Sequence, residues 1–218
     1  MPDGVEATEA VMLCDMVTTG FHCAENAEIK PGETVTVVGL GPVGLMTCAG
    51  ENLMGASEIY AVDCVDFRYE VANKYYGATH YINFSKGKFQ TQINDLIKGR
   101  GLDKILIAGG GLATMGDACE CLVNGGIVSN VNYLGSGENI TIPRVAWNVG
   151  MGHKTLKKRG GGGLTPGGRY RMEKLARLLQ IKKLDVKPIL THKLKGGLES
   201  IEQSLSMMKD KPAVEIQW

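Results

Sequence analysis

Val35–Asp63, VTVVGLGPVGLMTCAGENLMGASEIYAVD, carries the pattern of a strand, a glycine turn, a helix and a second strand ending in an acid. Val35 to Val38 is an apolar, β-branched run, as a strand buried on both faces requires. Gly39, Gly41 and Gly44 follow as G-x-G-x-x-G, with Leu40, Pro42 and Val43 between them. The first glycine permits a tight turn, the second lets a pyrophosphate approach the backbone, and the third lets a helix pack closely on the strand. The helix that opens there offers free N–H groups and its positive dipole end to phosphate oxygens. A second strand, Ile59 to Val62, ends in Asp63, about 20 residues past the glycines, where a carboxylate can accept from a ribose 2′-OH. Asp63 could instead be an exposed strand-end acid. The glycine pattern alone would also suit a turn that binds nothing, or a methyltransferase-type site for an adenosine group. Strand, turn, helix, second strand and acid in this order point to dinucleotide binding.

Outward from this unit, Phe67 to Tyr76, Phe89 to Lys98 and Thr114 to Val123 read as helices. Tyr81 to Phe84, Asp103 to Ala108 and Ile127 to Tyr133 read as strands. The alternation predicts an α/β fold, a doubly wound parallel sheet of the Rossmann type. Right-handed crossovers place the carboxyl ends of its strands along one ligand-binding edge. Before the unit, Glu6 to Ala27 is helical in composition, with Thr18-Thr19-Gly20 predicted to break it in two. After Tyr133 the alternation fades. Ile140 to Pro143 reads as a short extended piece, Lys154 to Leu156 as a strand, and Lys157 to Gly163 as a basic, glycine-rich solvated loop with phosphate binding as the lesser reading. Arg169 to Gln180 is an amphipathic helix with Met172, Leu175, Ala176 and Leu179 on one face. A strand over Ile189 to Leu194, a helix over Leu198 to Met208 with Leu198, Ile201, Leu205 and Met208 at core spacing, and a last strand over Ala213 to Ile216 complete the chain.

The 218 residues suffice for one large domain or two small ones, with a substantial core. A net charge of +1 gives no electrostatic footprint for nucleic acid or an anionic membrane. No apolar run approaches the length of a transmembrane helix, and the polar N-terminal MPDGVEATEA is not a signal peptide. It reads like the middle of a longer protein. The six cysteines form no C-x-x-C pair. These features predict a cytoplasmic protein with reduced, mostly buried thiols.

VMLCDMVTTGFHCAE (Val11 to Glu25), VGLGPVGLM (Val38 to Met46), YYGAT (Tyr75 to Thr79), NVNYLGSG (Asn130 to Gly137), IPRVAWNVGMGHKT (Ile142 to Thr155), GLTPGGRYRM (Gly163 to Met172) and MMKDKP (Met207 to Pro212) add a more specific signal. Through them nearly the whole chain resembles the zinc-dependent, medium-chain alcohol dehydrogenases, most closely the secondary alcohol dehydrogenases of anaerobic bacteria and amoebae. The resemblance implies hydride transfer between a nicotinamide cofactor and a small alcohol, ketone or aldehyde, in an oligomer, with zinc as the Lewis acid on the alcohol oxygen. It divides the chain into residues 1–18 and 165–218, remnants of a catalytic domain, and residues 19–164, the dinucleotide-binding domain. It places Thr19 beside the nicotinamide, and the backbone around Val131, Asn132 and Tyr133 at its carboxamide, although Asn132 and Tyr133 also suit ordinary loop positions. It makes Asp15 a zinc ligand.

The departures are informative. The family's N-terminal half, with its cysteine and histidine zinc ligands, has no counterpart here, and one carboxylate cannot hold catalytic zinc. Cys14, His22 and Cys23 are near Asp15, but adjacent helix residues face different ways. His22 and His153 read as hydrogen-bonded structural histidines. Remnants without their partner half predict exposed apolar surface and self-association. NADP-using members place a small residue, Ser and Arg at the end of the second strand, and a tyrosine after the third. Here those positions read Asp63-Cys64-Val65 and Phe84, with Arg68 as the nearby cation. An acid in place of the small residue repels a 2′-phosphate, so NAD is expected over NADP.

Overall fold

The computed structural model describes residues 3–134, 138–147, 155–157, 168–197, 200–207 and 213–217. Leu198, Met208, His153 and the glycine-rich stretch 158–163 lie outside them. Six strands, β1 (Thr34–Val38), β2 (Glu58–Asp63), β3 (His80–Asn83), β4 (Leu102–Ile107), β5 (Leu122–Asn130) and β6 (Thr155–Lys157), form one sheet in the order β3-β2-β1-β4-β5-β6. Every pairing is parallel. Val38 of β1 pairs with Val62 of β2 and Ile107 of β4. The sequence direction reverses between β1 and β4, and a parallel sheet opens a ligand crevice at the carboxyl ends of its strands where that happens.

The helices that cross between strands are α3 (Pro42–Leu53), α4 (Asp66–Tyr76), α5 (Phe89–Ile97) and α6 (Thr114–Cys121). They cover both faces, so the strands read as unbroken apolar runs. Val35, Val37, Ile59 and Ala61 pack with α3 and α4 residues such as Leu45, Ala49 and Val71. Val38, Val62, Ile105 and Ile107 pack on the opposite face with Phe89, Ile93 and Cys119. Gly77, at φ +80, caps α4 in the left-handed conformation that a side chain disfavours.

Ahead of the sheet, α1 (Ala7–Leu13) and α2 (Met16–Ala27) break at Cys14 and Asp15, not at Thr18-Thr19-Gly20 as the sequence predicts. Gly20 is a packing glycine: a Cβ there would lie 2.6 Å from Met46 Cβ and 2.7 Å from the Val43 carbonyl oxygen, where α2 crosses α3. Thr18 and Thr19 remain within α2, their hydroxyls bonding back to the Asp15 carbonyl and carboxylate. Past β6 come α7 (Gly168–Gln180), a two-stranded parallel sheet of β7 (Leu190–Lys195) and β8 (Ala213–Gln217), and α8 (Ser200–Met207) between them. Leu175, Ala176 and Leu179 of α7 are buried as expected, and Met172 is half-buried. In α8 the buried residues are Ser200 and Ser204, whereas Ile201 and Leu205 face out. The helical period holds there, but the buried face is displaced by one residue. The short extended piece expected over Ile140 to Pro143 joins no strand. Among the described residues no helix is long and apolar enough to cross a membrane.

Candidate functional site

At the end of β1 the chain turns through Gly39, whose φ of +90 suits glycine. Its N–H donates to the Val62 carbonyl at 2.8 Å, tying the turn to β2. The three motif glycines have three different surroundings. A Cβ on Gly39 would meet Gly109 Cα at 2.7 Å, because the ends of β1 and β4 touch there. A Cβ on Gly44 would lie 1.7 Å from the Gly39 carbonyl oxygen, so only glycine lets α3 close on the turn. A Cβ on Gly41 would meet nothing within 4 Å. Gly41 is the N-cap of α3, Pro42 its first residue, and the first-turn N–H groups of Val43 and Gly44 have no carbonyl a turn earlier in the helix. The turn is therefore closed on two sides and open at Gly41, at a helix N-terminus of twelve residues.

That opening belongs to a cleft of about 890 Å³. The cleft draws on Gly39 and Gly41 after β1, Asp63 and Cys64 after β2, Phe84, Ser85 and Lys88 after β3, and Gly109 to Thr114 after β4, with Arg68 from α4. Asn83 organises the β3 loop: its side-chain oxygen accepts from the N–H and hydroxyl of Ser85. Gln92 pins the same loop by donating to the carbonyls of Asn83 and Gly87. After β4, Gly110 at φ +102 makes the turn, and the Gly111 N–H donates to the Thr114 hydroxyl at 3.0 Å. Asp117 stands at the rim, its carboxyl raised above the usual range by burial and by Glu120.

Of the residues expected at the site, Gly39, Gly41, Asp63, Cys64 and Phe84 line the cleft. Leu40 is buried beneath it, Pro42 and Val43 form the first turn of α3, and Val65 is the N-cap of α4. Val131, Asn132 and Tyr133 follow β5 directly. Asn132 donates to the Gly110 carbonyl at 2.9 Å and so braces the β4 loop, whereas Tyr133 is 86% exposed. Thr19 lies on α2, buried, outside the cleft lining, its hydroxyl donating to Asp15 Oδ1 at 2.9 Å. Asp63 is no exposed strand-end acid: it is 3% exposed. The glycine run 109–111, Ser85 and Lys88 escaped the sequence reading as site residues. The signal available was three glycines directly after the fourth strand.

The donors around Asp15 do not fit a zinc site. Cys14 Sγ donates back to the Ala10 carbonyl within its own helix. His22 is engaged by Arg171 and Asn26. Burial pushes the Cys23 thiol up to about 12, so it lacks the thiolate that binds metal. Among the described residues no three histidine, cysteine or acidic groups converge.

The model of the family described as zinc-binding dehydrogenase matches residues 42–180. The chain belongs to that family. It is 50% identical over 217 residues to the NADP-dependent isopropanol dehydrogenase of Entamoeba histolytica, covering 98% of this chain and 57% of that protein. It is 46% identical to the protein of the same name from Thermoanaerobacter brockii, covering 97% of this chain and 58% of the relative. The chain thus spans less than three fifths of the length of these curated relatives. Among solved structures, alcohol dehydrogenase TADH from Thermus sp. ATN1 superposes with a TM-score of 0.85 at 25% identity, over 100% of this chain and 62% of that one.

Proposed function

We propose that the chain binds a nicotinamide adenine dinucleotide across the cleft. In the same reading it is the cofactor-holding portion of an alcohol dehydrogenase that interconverts a primary or secondary alcohol with its aldehyde or ketone. The observation that carries the reading is the glycine turn, shut at Gly39 and Gly44 and open at Gly41, on a cleft walled by four strand ends. The Val43 and Gly44 amides and the α3 dipole suit a pyrophosphate lying against Gly41. Phe84 offers an apolar wall at the β3 end of the cleft. The backbone at Val131, Asn132 and Tyr133 would meet the carboxamide in this reading, which the Asn132 bond to the β4 loop supports. Thr19, oriented by Asp15, belongs to the nicotinamide end. Once bound, the nicotinamide supplies a hydride acceptor for the carbinol carbon. The chain's share is to hold the ring and exclude water.

The acid at the end of β2 supports NAD over NADP, because its charge opposes a 2′-phosphate. The names of the relatives, and the Arg68 and Lys88 side chains in the same cleft, favour NADP. Titrating NADH and NADPH while following nicotinamide fluorescence separates the two. Tighter NADH binding supports the Asp63 reading, and tighter NADPH binding ends it. For residues 165–218 the division from residues 19–164 is supported by the separate β7–β8 sheet, whereas Val5, Met12, Leu13 and Val17 of residues 1–18 share a core with β1 and α3. With no zinc donor set around Asp15, we expect no turnover of propan-2-ol with NAD by this chain alone. Steady turnover with stoichiometric zinc by mass spectrometry would contradict that.

A further inference from the structure

Asp63 meets the glycine turn as well as the cleft. A carboxylate offers about four lone-pair positions on its two oxygens. Oδ2 accepts from the Leu40 N–H at 2.7 Å and from Arg68 Nη1 at 3.5 Å. Oδ1 accepts from the N–H groups of Cys64 at 2.8 Å and Val65 at 2.9 Å. All four positions are filled by the chain itself, and three of the donors are backbone. The side chain is almost wholly buried. The Leu40 bond crosses from β2 to the β1–α3 turn and ends on the residue between Gly39 and Gly41. The Cys64 and Val65 bonds shape the turn into α4.

We propose that Asp63 is a positioning residue, holding the Gly39–Gly41 turn in the conformation that receives a pyrophosphate, and is not the direct acceptor for a ribose hydroxyl. This rests on the dinucleotide reading of the cleft. Its charge still acts on a 2′-phosphate through space, but its hydrogen bonds serve the turn. Leu40 is fully buried, so its N–H, left without the carboxylate, would be a donor with little access to water. The turn would then relax out of register with Val43 and Gly44.

The two roles separate in Asp63→Glu. That variant keeps the charge and can still reach a ribose, a task glutamate also performs in dinucleotide folds, but its carboxylate is moved off the three amides by one methylene. The positioning role predicts that Asp63→Glu weakens NADH and NADPH together, each at least about tenfold, with their ratio kept. It predicts that Asp63→Asn weakens NADH as well, with NADPH losing less because the charge opposing its 2′-phosphate is gone, and that Leu40 amide exchange, followed by NMR on the ligand-free whole chain, accelerates in either variant. In Asp63→Glu, a loss of NADH affinity alone, or no loss of either, overturns the proposal. If the wild-type chain binds neither dinucleotide, the cleft reading fails instead, and Leu40 exchange in the ligand-free variants still decides the role of Asp63. If neither variant folds, the wild-type amides of Leu40, Cys64 and Val65 decide. Slow exchange without ligand supports the proposal, and protection that arises only on adding NADH overturns it.

Discussion

Gly41 and Gly44 are three residues apart, and the same substitution has opposite consequences at each. An alanine methyl at Gly41 meets no protein atom, and its φ of −64 is ordinary for any residue. Gly41→Ala should leave stability within about 0.5 kcal/mol of wild type while reducing NADH affinity at least about tenfold, because the methyl occupies space meant for ligand. Gly44→Ala puts a methyl into the Gly39 carbonyl oxygen, so α3 must move to clear it, and should destabilise by about 1–3 kcal/mol or more. Thermal melts and fluorescence titrations of the two variants check the contrast. Glu51 is a residue of another kind: fully buried on α3, with neither carboxyl oxygen hydrogen-bonded, its pKa is pushed well above the carboxylate range by burial. Between the ordinary value of 4.5 and that raised value, the unfolded chain loses a proton that the folded chain keeps. The associated stability is complete below the window and is lost as pH rises through it, by about 1.4 kcal/mol per pH unit. Urea midpoints of wild type should fall between pH 5 and pH 9 relative to those of Glu51→Gln; parallel curves would refute the assignment. At this scale the sequence yielded the turn glycines, because their roles follow from local backbone geometry. It did not reveal that Asp63 is saturated by amides or that Glu51 is buried, since both depend on what lies opposite in space.

At the scale of elements, the strands from Val35 to Tyr133 were legible, because apolar runs of strand length alternating with short helices leave few alternatives. Their order β3-β2-β1-β4-β5-β6 was not, since right-handed crossovers fix the hand of each connection and not the side of the sheet on which the next strand is added. Besides the extended piece expected over Ile140 to Pro143, the misreadings were helical. Thr18-Thr19-Gly20 has breaker composition, but Gly20 serves the crossing of α2 on α3, and no local rule shows the Met46 side chain waiting there. Gly20→Ala should therefore destabilise by about 1–3 kcal/mol even though alanine is the better helix former, which denaturant melts would test. On α8 the period of four was visible and its phase was not: Ser204 Oγ bonds to the Ser200 carbonyl on the buried side, while Ile201 and Leu205 face outward. The join between α7 and α2 was hidden too. Arg171 donates to Glu25 at 2.8 Å and reaches His22 Nδ1 at 2.9 Å, bringing together residues nearly 150 positions apart. Arg171→Ala should raise amide exchange along α7 while leaving that of β1 and β4 unchanged.

Over the whole molecule, family membership and fold were legible because the matching stretches are spread from Val11 to Pro212. The surface carries Val11 at 69% exposure, Ile181 at 64% and Leu205 at 63%, with Ile201 beside Leu205. Exposed aliphatic side chains of this size favour association, so the chain should elute from size exclusion above its 23.4 kDa monomer mass; a stable monomer at micromolar concentration would contradict this. NADH titration of the wild-type chain beside Gly41→Ala asks whether the cleft at the glycine turn holds a nicotinamide dinucleotide. Saturable enhancement of nicotinamide fluorescence at one site per chain is expected, lost in a Gly41→Ala protein that melts at the wild-type temperature. No saturable signal from wild type, or equal binding by both proteins, would contradict it.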